Sequence, residues 1–145
     1  MKTQIYLGFF VTFFLLNFTQ TEQQSKGKIY LNVDGFENND GKLMIALSNS
    51  EESYSNNDQV YRGAHAEIIN KKATYVFDDI PMGSYAIKVF HDENNNDELD
   101  FNFMHIPQEA YGFSNNARGT FGPASWEDAK FELVSDSLSI SITVE

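Results

Sequence analysis

Apolar and polar residues alternate along several short segments of this chain, and a period of two predicts β-strands with one buried face. The alternation is clearest near the C-terminus, where Leu138, Ile140, Ile142 and Val144 are separated by single polar residues. Clusters of Asn, Asp, Ser and Gly lie between the segments and indicate turns. The predicted strands cover residues 28–36, 42–48, 64–70, 71–80, 84–91, 130–134 and 137–145.

These strands predict an all-β domain, because no segment of ten or more residues beyond the N-terminal region has the periodicity of an amphipathic helix. About seven short strands with regular turns are typical of a single antiparallel β-sandwich with Ig-like connections, and a closed barrel is the alternative. A long insertion, residues 92–128, separates the fifth and sixth strands. Within it, Ser125 indicates a helical turn, since it can cap a helix with Asp128 three residues later.

The first 21 residues have the character of a secretory signal peptide. Lys2 is followed by an uncharged, mostly apolar run of about 14 residues, too short to cross about 30 Å of hydrocarbon comfortably. We expect residues 1–21 to be a signal peptide, residues 22–27 a linker and residues 28–145 the folded domain, with a retained N-terminal anchor as the alternative. The chain has no cysteine, which excludes disulfides and a lipid anchor on cysteine, and we expect a secreted or periplasmic protein.

The charge of the chain narrows the range of its partners. Its net charge is −11, and removal of residues 1–21, whose only charged side chain is Lys2, makes it −12. Such a surface repels nucleic acids and anionic membranes and is compatible with binding cations. We expect a monomer without stable membrane insertion after signal cleavage, whose partner is an unidentified protein or carbohydrate.

The segment HDENNNDELD, residues 91–100, follows the fifth predicted strand and is the main candidate for a binding site. Short oxygen-bearing side chains recur there at alternate positions, and such a loop can wrap six to eight oxygens around Ca²⁺ at about 2.3–2.6 Å. An EF-hand would need Gly in place of Asp97, Glu in place of Phe103 and flanking helices, so the loop is not an EF-hand. The alternative is a hydrated loop that caps its own backbone. The predicted calcium ligands are the side chains of Asp92, Asn94, Asn96 and Asp100, the carbonyl of Glu98, and Glu109 as a further ligand.

Two histidines flank this loop and suggest a rival site for Zn²⁺. His91, His105 and Glu109 would give the ion three protein ligands and an open position, as in a metal-dependent hydrolase. No helical scaffold supports this spacing, and a histidine at the end of a strand more often holds a turn by bonding a loop carbonyl or carboxylate. Ser114 lacks the second glycine of the nucleophile elbow G-x-S-x-G. We therefore expect no catalytic residues, and a binding module rather than an enzyme.

The insertion is rich in aromatic residues, and these support two interpretations. As an exposed platform they would bind a sugar or a peptide. As a second small core they would hold the long loop against one end of the sandwich, with Ser114, Asn115 and Asn116 satisfying its backbone groups. The aromatic residues of the insertion include Phe101, Phe103, Tyr111, Phe113, Phe121 and Trp126. The candidate ligand contacts are His91, His105, Tyr111, Ser114, Asn115 and Trp126.

Two runs of the sequence resemble known families. YVFDDIPMGSYAIKV is similar to the strand–turn–strand of transthyretin-like and carboxypeptidase-regulatory-like β-sandwiches, in which Pro81 and Gly83 would form the turn. The longer run from GSYAIKVFHDENNND through HIPQEAYGFSNNARGTFGP to WEDAKF resembles DUF2141, a family of exported bacterial proteins. This resemblance covers nearly the whole domain and implies a secreted or periplasmic β-sandwich of uncharacterised function. The sequence departs from the family pattern at Asp97 and His105, where the family commonly has glycine, and at Ala124 and Trp126, within a segment usually written GPPxF.

Overall fold

The computed structural model describes residues 25–145, so the predicted signal peptide and the first residues of the predicted linker lie outside the described residues. This part of the chain forms eight strands, two short α-helices and two 3₁₀ turns. None of its helices has the length and apolar character needed to cross a membrane. The strands are β1 (Lys26–Asp34), β2 (Lys42–Ser48), β3 (Arg62–Ala66), β4 (Lys72–Pro81), β5 (Gly83–Asp92), β6 (Tyr111–Phe113), β7 (Phe131–Leu133) and β8 (Ser137–Thr143), and the α-helices are α1 (Glu51–Ser55) and α2 (Trp126–Ala129).

The strands form two sheets. In the first, β1 lies between β4 and β8. The second has the order β3-β2-β5-β6, and β7 pairs with another part of β5. The prediction of an all-β sandwich is confirmed, with one difference: β1 and β8 are parallel, whereas the other pairs of named strands in residues 25–145 are antiparallel. A parallel pair needs a long connection, and here the connection between β1 and β8 contains all the other strands.

The alternating apolar residues of the strands meet between the two sheets. In β1, Ile29, Leu31 and Val33 are buried, whereas Tyr30 and Asn32 face solvent. The burial pattern of β8 alternates in the same way. The buried faces predicted from the period of two are therefore confirmed. The core includes Ile29, Leu31, Val33, Phe36, Leu43, Ile45, Leu47, Ile68, Phe77, Ile80, Tyr85, Ile87, Val89, Leu133, Ile140, Ile142 and Val144.

The third strand is displaced from its predicted position. It spans Arg62–Ala66, whereas the sequence pattern placed it at residues 64–70. The chain turns at Asn70 and Lys71, whose φ angles are 52° and 59°, and Ile69 pairs across this turn with the first residue of β4. Because two consecutive left-handed residues cannot continue a strand, the apolar residues that follow β3 belong to the turn region.

The first strand begins two residues before the predicted domain start at residue 28. Lys26 and Gly27 pair with the end of β4 and therefore belong to the sheet, not to the predicted linker. Gly27 packs against another backbone segment, because a Cβ at this position would lie 2.6 Å from the carbonyl oxygen of Ser135. A close backbone approach produces no apolar alternation, so the periodicity did not reveal these residues.

The segment between β5 and β7 contains more regular structure than predicted. It includes β6, a 3₁₀ turn at Ser114–Asn116 and α2. The predicted N-cap of α2 is confirmed, since the Oγ of Ser125 accepts the backbone N–H of Asp128. The three residues of β6 are too few to show a period of two, and this strand was therefore missed.

Candidate functional site

Residues 92–100, which we call the acidic loop, begin at the buried end of β5. Asp92 is fully buried, and its two carboxylate oxygens accept the backbone N–H groups of Asn96 at 3.0 Å and Asp97 at 3.1 Å. Asn95 and Asp97 are left-handed, with φ angles of 61° and 66°. After glycine, Asn and Asp tolerate this conformation best. Asp97 therefore makes the sharp turn for which an EF-hand loop uses glycine.

The side chains at alternate positions of the loop meet at Asp100. Asn94 Nδ2 donates to Asp100 Oδ2 at 2.6 Å, and Asn96 Nδ2 donates to Asp100 Oδ1 at 3.1 Å. The amide oxygens of the two asparagines accept the backbone N–H groups of Asn96 and Glu98. The loop thus brings together four of the predicted ligands, Asp92, Asn94, Asn96 and Asp100. These contacts also fit the alternative interpretation, in which the loop only caps its own backbone.

Lys42 lies beside this loop and was not predicted to do so. It pairs with Asp92 across β2 and β5, and its Nζ is 3.4 Å from Asp92 Oδ2 and 2.5 Å from Asp97 Oδ1. The hydrogen bond from Lys42 holds the pKa of Asp97 below its ordinary value, and the same bond raises the pKa of Lys42. The sequence gives no local signal for this position, because it depends on the antiparallel pairing of β2 with β5.

Glu109 connects the two ends of the loop. It is buried, its Oε1 accepts the backbone N–H of Glu93 at 2.9 Å, and its Oε2 accepts that of Asp100 at 3.1 Å. The carbonyl of Asp100 accepts the N–H of Gln108. Glu109, predicted as a further calcium ligand, therefore uses both oxygens to hold the backbone at residues 93 and 100.

A closed turn follows the acidic loop. The N–H of Asn102 donates to the carbonyl of Ile106, and its side-chain oxygen accepts the N–H groups of Met104 and Ile106. Phe101 and Pro107 form a bridge at the base of the turn. We call residues 101–106 the apolar turn.

The apolar turn presents its side chains to solvent. Phe103 is 91% exposed, which is unusual for so large an apolar residue. His105, at φ 57°, is also exposed. The exposed apolar residues of the turn are Phe101, Phe103, Met104 and Ile106.

The structure does not bring the two histidines together as a zinc site. His91 is fully buried, its Nε2 lies 2.7 Å from the carbonyl oxygen of Asp40, and its ring packs edge-on against Phe36. Within residues 25–145 no three His, Asp or Glu side chains form a group that could hold a metal ion. His91, His105 and Glu109 therefore do not converge, and His91 holds the turn before β2, the commoner role for a strand-end histidine.

Ser114 closes a gap in the second sheet. β6 pairs with residues 88–90 of β5, and β7 pairs with residues 83–85. Between these stretches the Oγ of Ser114 accepts the N–H of Ile87 at 2.9 Å and donates to the carbonyl of Ala129 at 2.6 Å. The side chain is fully buried, so this hydroxyl serves the sheet and is not open to a substrate.

The two residues after Ser114 also bond to the backbone. Asn115 Nδ2 donates to the carbonyls of Asp128 and Lys130 at 3.1 and 2.9 Å. Asn116 Oδ1 accepts the N–H of Thr143 at 2.9 Å. The backbone-satisfying role expected for this SNN run is what the structure shows, and Asn115, a candidate ligand contact, is engaged in it.

Ser114→Ala is expected to lower the free energy of unfolding by about 2 kcal/mol, because it leaves the buried N–H of Ile87 and carbonyl of Ala129 without partners. Urea denaturation followed by circular dichroism measures the change. Ser141→Ala, on the exposed face of β8, is the control and should change stability by less than about 0.5 kcal/mol. Equal stabilities of the two variants would contradict the role given to Ser114.

Three aromatic residues of the insertion form a second apolar cluster with Tyr54. Phe113 is buried there, and Tyr111 and Trp126 pack against it. The rings of Tyr54 and Trp126 are 5.9 Å apart, the Tyr54 hydroxyl donates to the carbonyl of Ala124, and burial raises the pKa of Tyr54 to about 12. The interpretation as a second small core is thus confirmed for these three residues, whereas the other three are exposed: Phe101, Phe103 and Phe121.

Comparison of the sequence with models of protein families gives a match. The sequence model described as "Uncharacterized protein conserved in bacteria (DUF2141)" matches residues 31–141, most of the chain. The chain belongs to the DUF2141 family. No curated protein and no solved structure gives a significant match. The part of the chain that matches DUF2141 contains the acidic loop, the apolar turn and the 3₁₀ turn Ser114–Asn116.

The structure describes the four positions at which the sequence departs from the pattern that the resemblance implies. Asp97 and His105, which stand where the pattern commonly has glycine, are both left-handed, at φ 66° and 57°. Glycine adopts this conformation without strain, so a glycine at either position would be compatible with the backbone seen here. Ala124 is buried in the second cluster, and Trp126 packs against that cluster.

Proposed function

We propose that this DUF2141 protein is an exported, non-enzymatic binding module in which residues 92–100 bind one Ca²⁺ ion and thereby order the apolar turn as a binding surface. Export is inferred from the signal-peptide character of residues 1–21. The partner proposed for the surface is a protein or a carbohydrate, since aromatic side chains recognise both.

The observation that carries the proposal is the convergence of Asn94 and Asn96 on the carboxylate of Asp100, at 2.6 and 3.1 Å. Both amides present their Nδ2 donors to this carboxylate, so an ion bound there at about 2.3–2.6 Å displaces these hydrogen bonds and requires the amide oxygens to turn toward it. Each amide oxygen accepts one N–H and keeps a second lone pair for an ion. Ca²⁺ suits such a flexible set of oxygens, whereas Mg²⁺ requires near-octahedral geometry and keeps several waters.

The proposed ion would act on the apolar turn through Asp100. This residue precedes the turn, its N–H is held by Glu109, and its carbonyl accepts the N–H of Gln108 on the far side of the turn. A cation that fixes the Asp100 side chain therefore restrains both ends of the apolar turn. The acidic loop supplies the charge that attracts the ion, and Lys42 offsets part of that charge.

The apolar turn has the properties of a contact surface. Phe103 projects into solvent with 91% of its surface exposed, and burying apolar surface against a partner contributes about 25 cal/mol per Å². Its neighbours Phe101, Met104 and Ile106 extend the patch. Four exposed apolar side chains within six residues are more than scattered surface hydrophobicity and indicate an interaction site.

Calcium is expected to raise the melting temperature. With free Ca²⁺ at about fifty times its Kd, binding to the folded state adds about 2 kcal/mol, which for a domain of this size is a rise in Tm of about 5–10 °C. Calorimetry in millimolar Ca²⁺ and in EDTA measures this. Hydrogen exchange should show slower exchange of the amides of residues 101–106 in calcium, because the turn becomes more ordered.

Two carboxylate variants serve as test and control. Asp100→Asn removes the charge on which both amides converge and should abolish most of the calcium-induced rise in Tm. Asp136→Asn removes an exposed charge outside the loop and should leave the rise unchanged. Identical melting curves of the unmodified protein in Ca²⁺ and EDTA, with no heat on titration, would overturn the proposed function.

A further inference from the structure

The imidazole of His91 has one ring nitrogen that is buried and unpaired. Its Nε2 lies 2.7 Å from the carbonyl oxygen of Asp40, and a carbonyl can only accept, so Nε2 carries a proton. In the neutral ring Nδ1 then holds a lone pair. Nδ1 has no hydrogen-bond partner although it is buried, and the His91 side chain is 0% exposed. Buried polar atoms without partners are rare and indicate a missing ligand or a functional role.

A carboxylate oxygen lies near this nitrogen. Glu93 Oε1 lies 3.5 Å from His91 Nδ1, and two acceptors at this separation repel unless a positive group lies between them. The Glu93 side chain is 41% exposed, so the gap can be reached from solvent by movement of that side chain. The backbone N–H of Glu93 bonds to Glu109 instead, which leaves the carboxylate free to face His91.

Glu93 also lines an acidic cleft of about 200 Å³. Among the residues that line it are four glutamates, and the cleft lining contains no lysine or arginine. One of these, Glu145, is paired with Arg118 at 3.0 Å. The remaining carboxylates attract cations. The carboxylates of the cleft belong to Glu37, Glu93, Glu109 and Glu145.

We propose that His91 Nδ1 and Glu93, whose side chain also lines this cleft, bind a transition-metal ion of the Zn²⁺ class. An ion at 2.0–2.1 Å from both atoms, which are 3.5 Å apart, subtends an angle of about 117°, close to tetrahedral. The bond from Nε2 to a backbone carbonyl is the arrangement that fixes the tautomer and orientation of metal-binding histidines. Imidazole selects Zn²⁺, Cu²⁺ and Ni²⁺ over Ca²⁺ and Mg²⁺.

The site has two protein ligands; Glu93 belongs to the acidic loop, but its carboxylate is not one of the side chains that converge on Asp100. Because residues 25–145 contain no group of three His, Asp or Glu suited to a metal, water completes the coordination, and micromolar rather than nanomolar affinity is expected. Neither His91 nor the Glu93 carboxylate belongs to the set that converges on Asp100. The zinc site therefore does not depend on the proposed function.

Isothermal titration of the purified protein with ZnCl₂, in buffer with millimolar Ca²⁺ to occupy the acidic loop, tests the proposal. One zinc ion should bind, and Glu93→Gln should raise the Kd at least about tenfold. His105→Ala and His65→Ala remove exposed imidazoles and should leave the Kd unchanged. Glu93→Gln is the deciding variant, because replacing the buried His91 can disturb folding.

Three outcomes would overturn the proposal. Absence of zinc heat would mean that no metal ion binds between His91 and Glu93. An unchanged Kd in Glu93→Gln, or loss of binding in His105→Ala, would place the zinc elsewhere. Asp100→Asn should keep zinc affinity while losing the calcium response, so failure of the calcium proposal and failure of the zinc proposal give different results.

Discussion

Gly41→Ala is expected to lower the free energy of unfolding by at least about 3 kcal/mol, with no polar group or apolar contact removed. Gly41 precedes β2 at φ +64°, a conformation that costs an alanine about 1–2 kcal/mol. A Cβ there would overlap the carbonyl oxygen of Asp92 and lie 2.7 Å from the Cα of Glu93. Since both neighbours are backbone atoms, the entry to the acidic loop must move. Urea denaturation followed by circular dichroism measures the loss.

Gly63→Ala is the matched control. Gly63 lies in the edge strand β3, and a Cβ there meets nothing within 4 Å. Alanine costs less conformational entropy than glycine in a strand, so this variant should be neutral or more stable by about 0.5 kcal/mol. If Gly41→Ala proved as stable as Gly63→Ala, the close contact of Gly41 with the backbone of Asp92 and Glu93 would be contradicted.

The strands could be predicted from the sequence wherever burial alternates. Ile29, Leu31 and Val33 in β1 and the equivalent residues of β8 have one buried and one exposed face, and this produces the period of two. What the pattern missed depends on backbone contacts. Gly27 enters the sheet because it has no side chain, and the short strand β6 is fixed by its pairing with β5.

Of the candidate site, only the contacts between residues of the acidic loop itself could be predicted from the sequence. The alternation of Asp92, Asn94 and Asn96 within one loop made their proximity foreseeable, and the structure links them by hydrogen bonds. Lys42 and Glu109 act from other parts of the chain. Their positions depend on which strands are neighbours and on how the insertion returns to β5, and neither fact can be obtained from local spacing.

Contacts between distant parts of the chain also decide the environments of His91 and of the aromatic residues in the insertion. The bond between His91 and the carbonyl of Asp40 joins residues 51 positions apart, so composition could suggest a zinc ligand but not its unpaired Nδ1. Exposure of Phe103 and burial of Phe113 likewise depend on whether each lies in a projecting turn or on the sheet. Tertiary contacts, not residue type, decide both cases.

Asp92→Ala is expected to lower the free energy of unfolding by about 3 kcal/mol and to abolish the calcium response. The carboxylate is fully buried, accepts two backbone N–H groups and lies 3.4 Å from Lys42 Nζ. Its removal leaves the two backbone N–H groups without this acceptor, whereas Lys42 keeps its ion pair with Asp97. Denaturation in EDTA isolates this structural effect, and titration with Ca²⁺ measures the second.

The control is Asp78→Ala, which removes an exposed carboxylate paired with Lys28 on the outer face of the first sheet. Exposed ion pairs contribute about 0–1 kcal/mol, so this variant should stay close to the parent in stability and keep its calcium response. A loss below about 1 kcal/mol for Asp92→Ala in EDTA would contradict the role of this residue in closing the loop. A calcium-induced rise in Tm equal to that of the parent would show instead that Asp92 closes the loop without binding the ion. The two measurements therefore separate a loop that caps its own backbone from one that binds calcium.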